Sequence, residues 1–323
     1  MRVLSGIQPS GKLHLGNYLG AMKQHLQMQH EHECFFFIAN YHTLTTVQDR
    51  DRLLELSRDV ALDYLALGLD PEKVNLFYQS DIPEVTELTW ILSTVTGKGL
   101  LDRATSYKDK IARGITPSMG LYSYPILMAA DILIYRSDMV PVGKDQLQHI
   151  EMAQDMAGYF NNTFRCEALK RPEPKLNEAP VVPGLDGQKM SKSYDNTIPL
   201  FDTAKKTRKR IMSIKTDSKT VEEPKDPDSC TIFTLYRLLA GPDETAALAE
   251  RYRAGGMGYG EAKKALAEVV EELLGPARER REELAADPQR LDEILHAGAV
   301  RARKVARGVL ADVRDAAGLA GTF

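Results

Sequence analysis

Two short segments, far apart along the chain, hold the residue types best suited to chemistry on a phosphate. The first is Lys12-Leu13-His14-Leu15-Gly16-Asn17. It follows an apolar stretch, Val3-Leu4-Ser5-Gly6-Ile7, and a turn, Gln8-Pro9-Ser10-Gly11, and it opens an amphipathic run, so it reads as strand, loop and helix start. Free main-chain N–H groups and the positive dipole end make a helix start a natural seat for an anion. The second segment is Lys189-Met190-Ser191-Lys192-Ser193, preceded by the turn-rich Pro183-Gly184-Leu185-Asp186-Gly187. A mobile loop is expected there, with two lysines three residues apart that can close on a polyphosphate. Taken singly, these are ordinary surface lysines and an ordinary helix-start histidine.

A different chemistry is suggested by Tyr124-Pro125-Ile126-Leu127-Met128-Ala129-Ala130-Asp131-Ile132-Leu133-Ile134-Tyr135. The run reads as a helix begun by Pro125, whose missing N–H costs nothing at a first position. Tyr124, Met128 and Asp131 then share one face. A carboxylate among so many apolar neighbours must meet an arginine, main-chain N–H groups or a ligand. A paired core aspartate satisfies that requirement, and so does an aromatic ligand with one N–H, with Tyr124 and Met128 against the ring and Asp131 as acceptor.

These residues need elements to position them, and 323 residues at 43% hydrophobic content supply one large or two medium domains. Through about residue 183, apolar strands such as 34–39 and 74–78 alternate with helical stretches such as 50–67, which predicts a doubly wound, Rossmann-like parallel sheet. Its ligands belong beyond the carboxyl ends of the strands, where residues 5–10 and the loop after Val140 would border one crevice. From about Thr197, helical patterns rich in Ala, Leu, Glu and Arg take over. The expected division is an α/β domain over 1–183, a lysine loop with a mainly α-helical domain over 184–285, and a last helix over 286–323. Whether that helix packs back on the first domain stays open.

Composition excludes several classes. The longest apolar run, 34–39, is far short of a membrane span, and the first residues lack a signal-peptide core, so a cytoplasmic protein is expected. Cys34, Cys166 and Cys230 are scattered, which indicates neither a disulfide framework nor a zinc or iron–sulfur site. A net charge of −3 does not suit a protein that coats nucleic acid. Local RNA contact has two candidate clusters, Lys205, Lys206, Arg208, Lys209 and Arg210, and Arg301, Arg303, Lys304, Arg307 and Arg314. Each could equally be a solvated helix face.

The two phosphate-suited segments resemble the HIGH and KMSKS signatures of class I aminoacyl-tRNA synthetases, with Asn17 in place of the final histidine of the first. The second match is complete, and a specified pentapeptide occurs by chance in a chain this long with a probability on the order of 10⁻⁴. Ser5-Gly6-Ile7-Gln8-Pro9-Ser10-Gly11, Gly16-Asn17-Tyr18-Leu19-Gly20-Ala21, Met128-Ala129-Ala130-Asp131-Ile132-Leu133 and Val140-Pro141-Val142-Gly143-Lys144-Asp145-Gln146 sharpen the resemblance to the tryptophanyl-tRNA synthetases of bacterial type. That resemblance implies a ligase that activates L-tryptophan with ATP to tryptophanyl-adenylate and transfers it to tRNA(Trp), working as a homodimer. Mg²⁺ would arrive on the ATP, and no protein metal site is implied.

It also implies roles. Asp131 would accept from the indole N–H, Met128 and His42 would line the pocket, and Tyr124 with Gln146 would hold the α-amino group. Leu4 stands in the pocket wall where relatives often have Phe. Gln8, Pro9, Ser10, Gly16, Asn17, Gly143, Lys144, Asp145, Val182, Met190, Ser191 and Ser193 would surround ATP. Lys110, Lys189, Lys192 and Asn17 would act on its phosphates. A buried acceptor that needs an N–H can reject phenylalanine by ~10⁴ to 10⁵, so no editing domain is required. The rival readings are a tyrosyl-tRNA synthetase and a small-molecule adenylyltransferase of the same superfamily. The first would need groups for a phenolic hydroxyl, and the second would not need a helical domain with basic faces.

Overall fold

The computed structural model describes residues 1–9, 11–104, 107, 111, 112, 114, 116–176 and 181–319, with the side chain of Asp145 left out. The expectations for Ser10 and Lys110, and for the Asp145 side chain, lie outside the described residues. Five strands, β1 (Arg2–Ile7), β2 (Glu33–Ile38), β3 (Val74–Tyr78), β4 (Met139–Val142) and β5 (Glu173–Leu176), form one parallel sheet in the order β3-β2-β1-β4-β5. Strand order reverses between β1 and β4, which is where such a sheet opens a crevice. The register of β1 with β2 runs from Arg2↔Glu33 to Ile7↔Ile38, whereas β1 meets β4 at Val3↔Met139. Pro141 has no N–H to bond back toward β1, so the two strands part toward their carboxyl ends.

Alternate residues of the central strands feed two cores. Val3, Cys34, Phe36, Ile38 and Leu76 face the helix α1 (Arg50–Ala66). Leu4, Phe35, Phe37 and Phe77 face α2 (Glu84–Val95), α3 (Met119–Leu133) and α4 (Leu147–Phe164). The strand β5, Glu-Pro-Lys-Leu, carries no apolar alternation and was not foreseen. It is an edge strand with Pro174 in it, held by main-chain pairing from Met139↔Glu173 to Val142↔Leu176.

The helix α3 corrects the expected start at Pro125. It begins six residues earlier, capped by Ser118, whose hydroxyl accepts from the Leu121 N–H at 3.1 Å. Pro125 therefore sits inside the helix and cannot return a hydrogen bond to Leu121.

Beyond residue 200 come α5 (Ala204–Met212), α6 (Thr231–Leu239), α7 (Pro242–Ala254), α8 (Tyr259–Ala286) and α9 (Pro288–Ala316). The first core continues from the sheet into this helical part through Ile198, Leu200, Ile211 and Leu266. Arg281 of α8 ties the two, donating to Asp63 at 2.6 Å and to Asp59 at 2.5 Å on α1.

The last helix packs back on the sheet. At Gly298 it lies so close to β3 that a Cβ would stand 2.0 Å from the Leu76 carbonyl oxygen. Arg301 donates to the Asn75 side chain at 2.7 Å and to the Val74 carbonyl at 2.8 Å. Arg303 and Arg307 share Glu84 at 2.6 and 3.0 Å, and Arg314 pairs with Glu87. Of the expected basic cluster on α9, Arg301, Arg303, Arg307 and Arg314 thus also hold the helix to the protein.

Candidate active site

Where β1 and β4 part, a cavity of about 320 Å³ is walled by Leu4, Ser5 and Gly6 of β1, by His42, and by Tyr124, Met128 and Asp131 of α3. Val140, Pro141, Gln146 and His149 close it from the β4 side. The six side chains expected around the amino acid, Leu4, His42, Tyr124, Met128, Asp131 and Gln146, are thus brought together. His42 meets Tyr124 edge to face at 6.2 Å between ring centroids, and Tyr124 meets His149 at 6.0 Å, with its hydroxyl 3.1 Å from His149 Nε2. Gly6 keeps the floor flat, since a Cβ there would stand 2.5 Å from the Phe37 ring.

Asp131 is 1% exposed, and its partners are not arginines. His42 Nε2 donates to Oδ2 at 2.8 Å, and the Gln79 amide donates to Oδ1 and Oδ2 at 2.9 and 2.8 Å. Burial pushes this carboxyl above the usual carboxylate range, against the pull of His42 and Gln79. Sequence reasoning missed Gln79 and His149, because a glutamine after a strand and a histidine in an amphipathic helix carry no signal of their own.

A second cavity of about 850 Å³ adjoins the first and shares Ser5, Gly6, Gln8, Pro141, Val142 and Gln146 with it. Its wall adds His14, Gly16, Asn17, Gly143, Val182, Lys189, Met190, Ser191 and Lys192, so the two sequence segments meet across one space. Of the other expected residues, Pro9 is buried and Lys144 and Ser193 are exposed, and none of the three belongs to either wall.

The segments are joined by direct contact. The Gly16 N–H points at Met190 Sδ, 3.2 Å away and 174 residues along the chain. A Cβ on Gly16 would stand 3.0 Å from the His14 ring and 3.3 Å from Met190, so glycine permits the approach. Lys192 Nζ donates to the Gly11 carbonyl at 3.1 Å, and Leu15 N–H donates to the Ile198 carbonyl at 2.8 Å. Asn17 reaches back to accept from His14 N–H at 3.0 Å, a helix-start bond.

The expected mobile loop is a hairpin built on Asn196, which is 3% exposed. Its amide donates to Asp186 at 2.8 Å and to the Lys189 carbonyl at 3.2 Å, and accepts from Ser191 N–H at 2.8 Å. The electrostatics are those of a cationic, partly dry space. Burial, then the Lys192 charge, lowers His14 to about 4, and loss of water lowers Lys192 below the ordinary lysine value against the attraction of Asp63. Among the described residues, no group of three His, Cys, Asp or Glu side chains is placed to hold a metal ion.

An apolar, aromatic-lined pocket with one buried acceptor, opening on a larger cavity flanked by a helix start and lysines, defines an enzyme that joins a small ring compound to a nucleotide. The sequence profile of the family described as tRNA synthetases class I (W and Y) matches residues 1–275. The chain belongs to that family. It is 56% identical over 320 residues to a tryptophan–tRNA ligase of Rhodopirellula baltica, covering 99% of this chain and 100% of that one. A tryptophan–tRNA ligase of Fusobacterium nucleatum is 51% identical over 323 residues, covering 100% of this chain and 99% of the other. The fold superposes with a TM-score of 0.94 on the tryptophanyl-tRNA synthetase of Campylobacter jejuni in complex with ADP and tryptophan, at 48% identity, covering 98% of this chain and 100% of that one.

Proposed function

We infer that the protein is an ATP-dependent tryptophan–tRNA ligase, with the smaller cavity for tryptophan and the larger for ATP. The observation that carries the substrate is Asp131, a buried carboxylate on the wall of an aromatic pocket whose partners are His42 and Gln79. The indole N–H gives it a further donor, while Met128, His42 and Leu4 flank the ring. Tyr124 and Gln146 hold the α-amino group, Tyr124 from the wall of the smaller cavity and Gln146 from the wall that both cavities share.

In the first step, a carboxylate oxygen of tryptophan attacks the α-phosphorus of ATP, the bond to the β-phosphate breaks, and pyrophosphate leaves. A hydroxyl of the terminal ribose of tRNA(Trp) then attacks the acyl carbon, and AMP leaves. No protein nucleophile is needed. Lys189 and Lys192 stabilise charge growing on the phosphate oxygens, and Mg²⁺ would be carried in with ATP and neutralise further phosphate charge.

The tRNA meets the exposed Lys205, Lys206, Arg208 and Lys209 of α5, whereas Arg210 is turned to the Thr197 carbonyl at 3.0 Å. We place the functional divisions at 1–183, 184–285 and 286–323. No described helix is long and apolar enough to cross a membrane, and we assign the protein to the cytoplasm. A homodimer through α2 accounts for Trp90, which is 71% exposed. Sedimentation velocity should then give a dimer that Trp90→Glu dissociates, and an unchanged dimer would move the interface elsewhere.

ATP–pyrophosphate exchange with each of the twenty amino acids tests the substrate, with tryptophan expected alone to support it. Asp131→Asn should lower the preference for tryptophan over phenylalanine by about a hundredfold or more. An unaltered preference would remove Asp131 from ring recognition.

A further inference from the structure

Gln79 lies in the short turn Gln79–Asp81 after β3, and it is 1% exposed. Its amide has one sensible orientation. The oxygen accepts from the main-chain N–H groups of Tyr41 at 3.1 Å and His42 at 3.4 Å, which directs the NH₂ end at Asp131. The reversed amide would set its oxygen against a carboxylate and its N–H groups against two donors.

Gln79 therefore gives to both oxygens of Asp131, which requires Asp131 to accept, while His42 Nε2, 2.8 Å from Oδ2, donates to the ionised acid and can accept from the protonated one. Burial acts the other way and favours the neutral acid. A protonated Asp131 would carry an O–H donor into the pocket and lose its need for a ring N–H. Among the described residues, Oδ1 receives one hydrogen bond and Oδ2 two, which leaves Oδ1 the greater capacity to accept from a ligand.

We propose that Gln79 is a specificity-determining positioning residue: anchored on the Tyr41 and His42 main chain, it holds Asp131 as an acceptor-only anion, so that the pocket demands an N–H from the ring it binds. This rests on the reading of the smaller cavity as the tryptophan site. The titratable groups around Asp131 are His42, Tyr124 of its own helix, Tyr135 just past that helix, His149 of α4, and Glu84 of α2 beyond Tyr135. They are the same in every variant below, so each variant is compared with the unaltered protein at the same pH.

The test uses the full chain in ATP–pyrophosphate exchange from about pH 6 to 9. It compares kcat/KM for tryptophan with kcat/KM for its benzothiophene isostere, in which sulfur replaces the ring N–H. Gln79→Met removes both amide functions at similar length. It should lower the tryptophan:isostere ratio by about tenfold or more at the acid end, with recovery as pH rises and Asp131 ionises.

Gln79→Glu should slope the opposite way. At low pH its O–H replaces the amide donor, and as pH rises the two facing carboxylates repel and the ratio falls. Opposed slopes support the proposal. Ratios that track the unaltered protein, or that drop equally at all pH values in both variants, overturn it. If Gln79→Met does not fold, the falling slope of Gln79→Glu decides alone, and a flat profile there overturns the proposal. Asp131→Ala, which removes the acceptor, separates the two levels in the same assay: if it keeps the ratio, the tryptophan pocket itself is misassigned, and the role of Gln79 falls with it.

Discussion

Lys192 sits at the meeting point of the two signature segments, bonded to the Gly11 carbonyl and close enough to His14 to add to the lowering of its basicity by burial. A cation held there before ATP binds favours charge that appears on the phosphates during adenylate formation more than it favours the bound amino acid. Lys192→Ala should therefore slow adenylate formation by about a hundredfold or more while tryptophan binding changes little. Single-turnover kinetics beside calorimetric titration of tryptophan reads both, and equal losses in the two would contradict the role. The residues of this site that could be read from sequence were those out of keeping with their surroundings, such as Asp131 in an apolar helix or paired lysines after a glycine turn. Gln79, His149 and Asn196 were silent, because an uncharged polar residue looks the same in sequence whether it is solvated or anchors a network.

Individual elements show where local rules are overridden. Gly298 is a packing requirement of α9, since its missing side chain lets the helix touch the Leu76 backbone. Gly298→Ala should cost about 3 kcal/mol or more in chemical denaturation, because backbone on both sides must move. Gly308 in the same helix is exposed, with nothing within 4 Å of a Cβ, and Gly308→Ala should gain about 0.5–1 kcal/mol. Similar effects at both sites would refute this account of the packing. The parallel sheet and the helical second half were legible because β2 and β3 are short apolar runs between turns. The strand β5 was not, because an edge strand buried on neither face needs no apolar pattern. The start of α3 was misplaced because the preference of proline for a first helical turn is strong, and here Ser118 supplies a better cap upstream.

At the scale of the whole molecule, stability should depend on pH through His25, which is 4% exposed, pairs with the Tyr64 hydroxyl at 2.9 Å, and is lowered to about 4 by burial. Below the ordinary histidine value the unfolded chain takes a proton that the folded chain refuses, so stability is lost as pH falls from about 6.5 toward 4. Between about pH 7 and 5 this amounts to roughly 2 kcal/mol. Urea denaturation of the unaltered protein should show that loss in excess of His25→Gln, and equal losses would place the pH dependence elsewhere. The packing of α9 also has a consequence for how the protein is made. Arg301 bonds to Asn75 across 226 positions of sequence, so β3 leaves the ribosome long before the helix that covers it. Until residues 288–316 emerge, a nascent chain carries an uncovered stretch of sheet, and products truncated ahead of them should be prone to aggregate and to depend on chaperones.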